Sequence, residues 1–151
     1  MIEITPARYD DLGPWLLLAE QVTPLFGPMP GLSATLERKI AQKQAYCAHV
    51  STSNATLVGG VLIGGMGLEH WIRWLAVSAE YRRIGVGRML METAICLIPA
   101  NSAIFVETFV RGSAGADAAI RLYESCGFEP AEITQVDGVV RQRYIRLRSS
   151  K

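Results

Sequence analysis

No apolar stretch in this chain approaches the roughly 20 residues that a bilayer-spanning helix needs. Neither charge is in excess, with 15 Lys and Arg against 14 Asp and Glu and a net charge of +1. Bulk electrostatics therefore point to no nucleic-acid partner and no membrane partner. Cysteine is scarce. Cys47, Cys96 and Cys126 are odd in number and widely separated, which argues against a disulfide framework or a zinc site and for buried thiols in a reducing cytosol. The opening residues, Met1-Ile2-Glu3-Ile4-Thr5-Pro6, lack the basic segment and apolar run of a signal peptide. What is present is 151 residues, 50% of them hydrophobic, with a mean hydropathy of +0.21, which excludes a disordered chain. The expectation is a single domain over residues 1–151, cytoplasmic and without a metal, with a substantial core.

Short apolar runs alternate with amphipathic stretches. Residues 1–5 read as a strand. Asp10 and Asp11 can cap a helix to about Gln21, with Pro14 in its first turn and Leu12, Trp15, Leu16 and Ala19 on one face. The prolines and glycines of Thr23-Pro24-Leu25-Phe26-Gly27-Pro28-Met29-Pro30-Gly31 are expected to end it. A second helix from near Ser33 groups Leu32, Leu36 and Ile40. Runs at 45–50 and 55–63, split by Ser51-Thr52-Ser53-Asn54, predict an antiparallel hairpin. Gly64-Gly65-Met66-Gly67 is expected to turn the chain into a strand over 68–77. A helix over 85–97 would bury Val86, Leu90, Ala94 and Leu97, and a strand follows at 103–109. That succession implies a right-handed crossover and a parallel pair. A loop at 112–115, a helix over 116–125 ended by Gly127, a hairpin about Asp137-Gly138 and a polar tail from Arg148 complete the chain. The class is α+β (mixed α/β): a mostly antiparallel twisted sheet of roughly seven strands, one parallel crossover, and helices on both faces.

One stretch carries chemistry: Leu75-Ala76-Val77-Ser78-Ala79-Glu80-Tyr81-Arg82-Arg83-Ile84-Gly85-Val86-Gly87-Arg88. It reads as a strand end, a polar turn and a glycine-punctuated helix start. A helix start offers backbone N–H groups without intrahelical partners at the positive end of the dipole, which suits a phosphate or pyrophosphate. Glycines allow close approach of a ligand to the backbone. A Walker loop is excluded, because no Gly-x-x-x-x-Gly-Lys-Ser/Thr occurs. A dinucleotide fingerprint is disfavoured, because its third glycine would fall at Leu90.

About forty residues downstream comes Ala119-Ile120-Arg121-Leu122-Tyr123-Glu124-Ser125-Cys126-Gly127-Phe128. With Leu75-Ala76-Val77 and Arg82-x-x-Gly85-x-Gly87 before it, the chain resembles the GNAT superfamily of acyl-CoA-dependent N-acetyltransferases. The resemblance implies acetyl-CoA as co-substrate. The pantetheine arm would pair with the backbone around Leu75, Ala76 and Val77 in a gap between the fourth and fifth strands, opening where Val77 and Thr108 end them. The pyrophosphate would sit on the N–H groups of Arg83, Ile84, Gly85, Val86, Gly87 and Arg88, with Arg82 contacting phosphate or capping the turn. Tyr123 would be the general acid for the departing thiolate.

The base stays open. Many relatives carry a glutamate in the fourth strand where this chain has Trp71, and Glu69, His70 and Glu107 are the candidates in its place. Another departure is Ala116, where many relatives carry asparagine; Asp117 is adjacent. The cysteines sit in apolar surroundings without an obvious histidine partner, so transfer straight from acetyl-CoA to a primary amine is expected rather than an acyl-enzyme. His49 reads as a structural histidine. Trp71 and Trp74 fall on opposite faces of a regular strand, so at most one faces the cleft. The loop at 26–30 is the specificity candidate, and Arg141, Arg143, Arg146 and Arg148 read as a solvated strand face and tail. The acceptor, a small-molecule or peptide amine, is not encoded in any motif, and a homodimer is compatible with the resemblance. The contrasting reading is a non-catalytic acyl-CoA-binding or regulatory domain.

Overall fold

The structure, a computed structural model, describes residues 1–26, 29–51, 56–109 and 114–147. Seven strands make one sheet: β1 (Ile2–Pro6), β2 (Ala45–Val50), β3 (Thr56–Met66), β4 (Glu69–Val77), β5 (Ala103–Phe109), β6 (Glu129–Val136) and β7 (Val139–Arg146). Their order is β1-β2-β3-β4-β5-β7-β6, so the last strand of the chain inserts beside β5. Every neighbouring pair is antiparallel except β4 and β5. Helices α1 (Leu12–Phe26), α2 (Leu32–Ala41), α3 (Val86–Leu97) and α4 (Ala114–Ser125) cover the sheet. No helix among the described residues is long and apolar enough to cross a membrane. The mixed sheet, the parallel crossover and the helices on both faces are those expected from the sequence.

Strand alternation distributes the core to two faces. On one, Trp15 of α1 and Leu36 and Ile40 of α2 pack on Ala45, Cys47 and Leu62. On the other, Val86, Leu90, Met91 and Ala94 of α3 pack with Val61, Ile72, Ile104 and Val106, and Ile120 and Tyr123 of α4 join them. Burying each large side chain is worth about 1.5–3 kcal/mol, so these two layers dominate stability. Glycine in a central strand marks close approach. A Cβ at Gly60 would lie 2.6 Å from the Trp15 ring, so that glycine is what seats the indole.

Several boundaries differ from expectation for identifiable reasons. Helix α1 continues through Pro24. Pro24 deprives only the carbonyl four residues back, on exposed Glu20, which water can reach. Gly64, Gly65 and Met66 belong to β3, and the turn is confined to the next two residues. Leu97 is exposed at the last position of α3, and Ile98 turns back in extended conformation to take the buried place. Gly115 lies inside α4 rather than in a loop. Cys96 is exposed, so only Cys47 fits the expected buried thiol fully. The Asp137-Gly138 turn has both residues at positive φ (51° and 79°), as a two-residue hairpin of primed type requires. Residues 27–28, the turn at 52–55, residues 110–113 and the tail from Arg148 lie outside the described residues.

Candidate active site

The sheet opens between its two parallel strands. Pairing of β4 with β5 runs from Glu69↔Ala103 to Ile72↔Val106 and stops there, although β4 continues to Val77 and β5 to Phe109. The splay begins well before the strand ends, earlier than the expected opening at Val77 and Thr108. Its cause is local. Across β3, Leu62 faces Trp74 and Ile63 faces Ile72, so Arg73 is an extra residue, a bulge that re-aims the strand. Ser78 donates its N–H to Val58 O of β3 at 2.8 Å. By the strand's alternation, Leu75 and Val77 then direct their N–H and C=O groups away from β3, into the gap.

A cleft of about 350 Å³ fills this gap, lined by Met29, Trp71, Ile72, Arg73, Trp74, Leu75, Val106, Glu107, Thr108, Tyr123 and Arg141. Both tryptophans line it, contrary to the expectation for a regular strand, because the bulge at Arg73 interrupts the alternation between them. Trp71 stacks on Phe105 (5.1 Å between centroids) and carries the guanidinium groups of Arg73 and Arg143 at 4.6 and 4.9 Å. Trp74 leans on Trp15 (5.5 Å) and donates its Nε1–H to Met29 Sδ at 2.8 Å. Among the described residues, Met29 is thus the member of the expected specificity loop that reaches the cleft.

Tyr123 stands at the cleft wall near the end of α4. Gly127 at φ +90° closes this helix, with Phe128 N–H donating to Tyr123 O at 3.0 Å and Gly127 N–H to Glu124 O at 3.2 Å. That pairing is a Schellman stop, and it fixes the tyrosine's own carbonyl. The ring packs between Phe128 and Tyr144, each 6.0 Å away between centroids. It is 6% exposed, and its hydroxyl has no hydrogen-bond partner among the described residues. Burial pushes that hydroxyl above the ordinary tyrosine range, so it stays protonated at neutral pH.

From β4 the chain runs through a 3-10 turn at Ala79–Tyr81 into the 82–88 loop and α3. Gly85 caps α3 at φ +89°, Arg83 is at φ +67°, and Met89 N–H is the donor to Gly85 O at 3.0 Å. The N–H groups of Val86, Gly87 and Arg88 precede the first intrahelical bond and have no acceptor within the helix. A Cβ at Gly85 would meet nothing within 4 Å, whereas one at Gly87 would touch Leu122 at 3.4 Å and Val77 at 3.7 Å. The open approach is therefore at Gly85. Arg82 donates its Nε–H to Val77 O at 3.1 Å and braces the turn. Arg88 bonds Ser125 Oγ at 3.2 Å and lies 3.5 Å from Glu92, tying the start of α3 to the end of α4.

Of the base candidates, Glu107 lines the cleft and Glu69 and His70 do not. Those two lie at the paired, closed end of β4, with His70 Nε2 3.2 Å from Gly67 O. Glu107 Oε2 accepts from Arg143 Nε and Nη2 at 3.1 and 2.9 Å. Arg143, beside Glu107, and Arg141, at the cleft wall, were expected on a solvated face. No sequence signal placed them here: they arrive because β7 pairs with β5, setting Arg143 opposite Glu107 and Arg141 opposite Phe109. Arg146 is also engaged, donating to Cys126 O at 3.2 Å.

The cysteine expectation needs one correction. Cys47 does have a histidine beside it: its Sγ lies 3.7 Å from His49 Nε2 and 3.6 Å from Asp11 Oδ2. Burial, with the Asp11 charge adding, pushes the Cys47 thiol up to about 12. This cysteine is on β2, two strands from β4, and no cysteine lines the cleft among the described residues.

Residues 42–130 match the family profile described as the Acetyltransferase (GNAT) domain. The fold is similar to Ard1 from Thermoplasma volcanium, at TM-score 0.80 and 21% identity over 99% of each chain. It is similar also to the ribosomal-protein-S18-alanine N-acetyltransferase from Escherichia coli, at TM-score 0.76 and 21% identity over 100% of this chain and 97% of that one. An Arabidopsis thaliana protein solved with the bisubstrate analogue CoA-Ac-MVNAL gives TM-score 0.73 and 20% identity over 96% and 97%. At these identities the likeness is one of fold. No curated protein sequence matches the chain.

Proposed function

This chain belongs to the GNAT acetyltransferase family, and on that premise we propose that it transfers an acetyl group from acetyl-CoA directly to the α-amino group of a peptide acceptor. The observation that carries the proposal is the β4–β5 splay. It leaves the end of β4 without a partner strand on the β5 side, Tyr123 lines the same cleft, and β4 leads through the 82–88 loop to the start of α3. In this reading Leu75 and Val77 pair with the pantetheine amides as an added strand would. The N–H groups of the 83–88 segment take the pyrophosphate, with Gly85 leaving room for it.

The chemistry balances as follows. The acceptor ammonium loses one proton to Glu107 or to water in the cleft. The amine lone pair attacks the thioester carbonyl, a backbone N–H near Val77 polarises the oxygen, and as the C–S bond breaks the nitrogen gives its second proton to water, leaving the amide. Tyr123 donates a hydrogen bond to the departing sulfur. A CoA thiolate of pKa ~8.5 is a weaker base than a buried tyrosinate, so Tyr123 acts mainly by hydrogen bonding, and the sulfur keeps a proton drawn from solvent. The net products are amide, free thiol and one released proton.

Two considerations favour an α-amine. The similar Escherichia coli and Arabidopsis proteins carry such acceptors in their names: an alanine of a ribosomal protein and a peptide-bearing analogue. Independently, among the described residues the cleft's one carboxylate is Glu107, already bonded to Arg143. At pH 7.5 an α-amine of pKa about 7.8 is roughly one-third neutral, whereas lysine at about 10.4 is neutral to about 0.1%. A site without a strong base works best on the former.

The second reading, a domain that binds acyl-CoA without chemistry, is favoured by Trp71 standing where many relatives carry glutamate. A panel of short peptides with free or blocked N-termini, lysine-only peptides and polyamines, each with acetyl-CoA, separates the alternatives by product mass. Acetylation of free N-termini alone is expected. Acetylation of polyamines or lysine in preference overturns the acceptor class, and acetyl-CoA binding with no acetylated product supports the non-catalytic reading.

A further inference from the structure

On the far side of the sheet from α3, three side chains from distant parts of the chain converge. Cys47 and His49 are next-but-one neighbours on β2, and Asp11 hangs over them from the 3-10 turn that leads into α1. His49 Nε2 is 3.0 Å from Asp11 Oδ1, Cys47 Sγ is 3.7 Å from His49 Nε2, and Cys47 Sγ is 3.6 Å from Asp11 Oδ2. The donor atoms all lie within 4.8 Å of one another. None of them touches the acetyl-transfer cleft.

We propose that Asp11, Cys47 and His49 form a binding site for a divalent transition-metal ion of zinc type. Tetrahedral zinc with bonds of about 2.3 Å to sulfur, about 2.05 Å to nitrogen and about 2.0 Å to oxygen places its ligand atoms at S···N and S···O separations of about 3.5–3.6 Å and an N···O separation of about 3.3 Å. His49 Nε2 stands 3.7 Å from Sγ and 3.0 Å from Asp11 Oδ1, while the 3.6 Å contact of Sγ is to the other carboxylate oxygen, Oδ2. Sγ is also 3.8 Å from His49 Nδ1, so it lies beside the ring and not along the Nε2 lone pair. Binding therefore requires the imidazole to turn and one carboxylate oxygen to move in, both on side chains that border the open cavity. The metal would lie among the three side chains and displace the thiol proton. Thiolate with imidazole and carboxylate selects zinc, cobalt or nickel over magnesium or calcium, which require an all-oxygen shell.

The surroundings suit the role. The backbone N–H of Arg8 donates to Asp11 Oδ2 at 2.8 Å, orienting the carboxylate. The Thr5 hydroxyl lies 3.9 Å from Cys47 Sγ on the neighbouring strand. A cavity lined by Asp11, His49, Thr5 and Arg8 reaches the trio from solvent. The Asp11 and His49 side chains are 16% and 17% exposed, while Cys47 is closed off at 0%. An ion therefore enters on the histidine and carboxylate side, and its fourth position faces the cavity, where water completes the tetrahedron. Sequence spacing did not reveal the site, because Asp11 is 36 and 38 residues from its partners.

The test is titration of chelator-stripped protein with Co²⁺, read by thiolate-to-cobalt charge transfer and the visible bands of tetrahedral cobalt. Thermal melts with and without Zn²⁺ run in parallel. One equivalent of cobalt, the charge-transfer band, and a melting temperature that rises with zinc concentration are expected. The double variant Cys96→Ser/Cys126→Ser should behave as wild type, and Cys47→Ser should lose the band. If Cys47→Ser fails to fold, His49→Gln and Asp11→Asn decide, each expected to weaken cobalt binding on the order of tenfold or more. A wild-type protein without the band, or a band that survives all three ligand substitutions, overturns the proposal and leaves a hydrogen-bonded trio only.

Discussion

Tyr123 combines a packed ring with an unsatisfied hydroxyl at a cleft wall. Tyr123→Phe keeps the packing and removes the donor. Turnover should fall about 10²-fold, the low end of the ~10²–10⁴ range of general acids, because the raised pKa makes the group a hydrogen-bond donor more than a proton source. Unchanged turnover would remove the residue from the mechanism. The same burial has a second consequence. The folded-state pKa is raised, so the folded protein keeps a proton that the unfolded chain releases above about pH 10. Tyr123 thus contributes stability that is fully present below that pH and is lost as pH climbs toward the folded value. Denaturant melts at about pH 8 and about pH 11 should show a smaller alkaline loss in Tyr123→Phe than in wild type. Tyr123 was singled out by the resemblance carried in residues 119–128, and the Gly127-Phe128 stop is what sets its place at the end of α4. The base was not legible, since Glu69, His70 and Glu107 all sit on adjacent strands and only the splay distinguishes them. Glu107→Gln should lower kcat, with Glu69→Gln near wild type. The reverse ranking would put the base at the closed end of β4.

The decisive device among the elements is the Arg73 bulge. Nothing in Trp71-Ile72-Arg73-Trp74 announces it, because a bulge is a property of pairing with β3 and leaves no composition signal. This is why the alternation argument separated two tryptophans that share the cleft. The glycine-punctuated start of α3 was easier to place, because glycines at a strand-to-helix junction need only local geometry. Gly85→Ala puts a side chain at φ +89°, at a cost of about 1–2 kcal/mol, and shifts the N–H groups behind it. Loss of one charge-assisted bond of about 1.5–3 kcal/mol predicts a KM for acetyl-CoA raised roughly 10- to 100-fold, with kcat changed less. Gly87→Ala, whose Cβ would meet Leu122 at 3.4 Å, should have the smaller effect on KM. Equal effects, or effects on kcat alone, would place the pyrophosphate elsewhere.

Across the whole molecule, one sheet carries both the β4–β5 cleft and, away from it, the Asp11–Cys47–His49 cluster. Element order and the parallel crossover followed from apolar periodicity, and the order β5-β7-β6 did not, because hairpin signals fix which strands pair and not where the hairpin inserts. That insertion brings Arg143 against Glu107 and Trp71 and Arg141 to the cleft wall. The central claim is that the β4–β5 cleft holds acetyl-CoA and an amine together. It is tested most directly by initial rates of CoA thiol release with acetyl-CoA and a free-N-terminal peptide varied against each other. Intersecting double-reciprocal lines, with no release when the amine is blocked, are the predicted result. Parallel lines would mean an acyl-enzyme and release without amine would mean hydrolysis, and either would contradict direct transfer in this cleft.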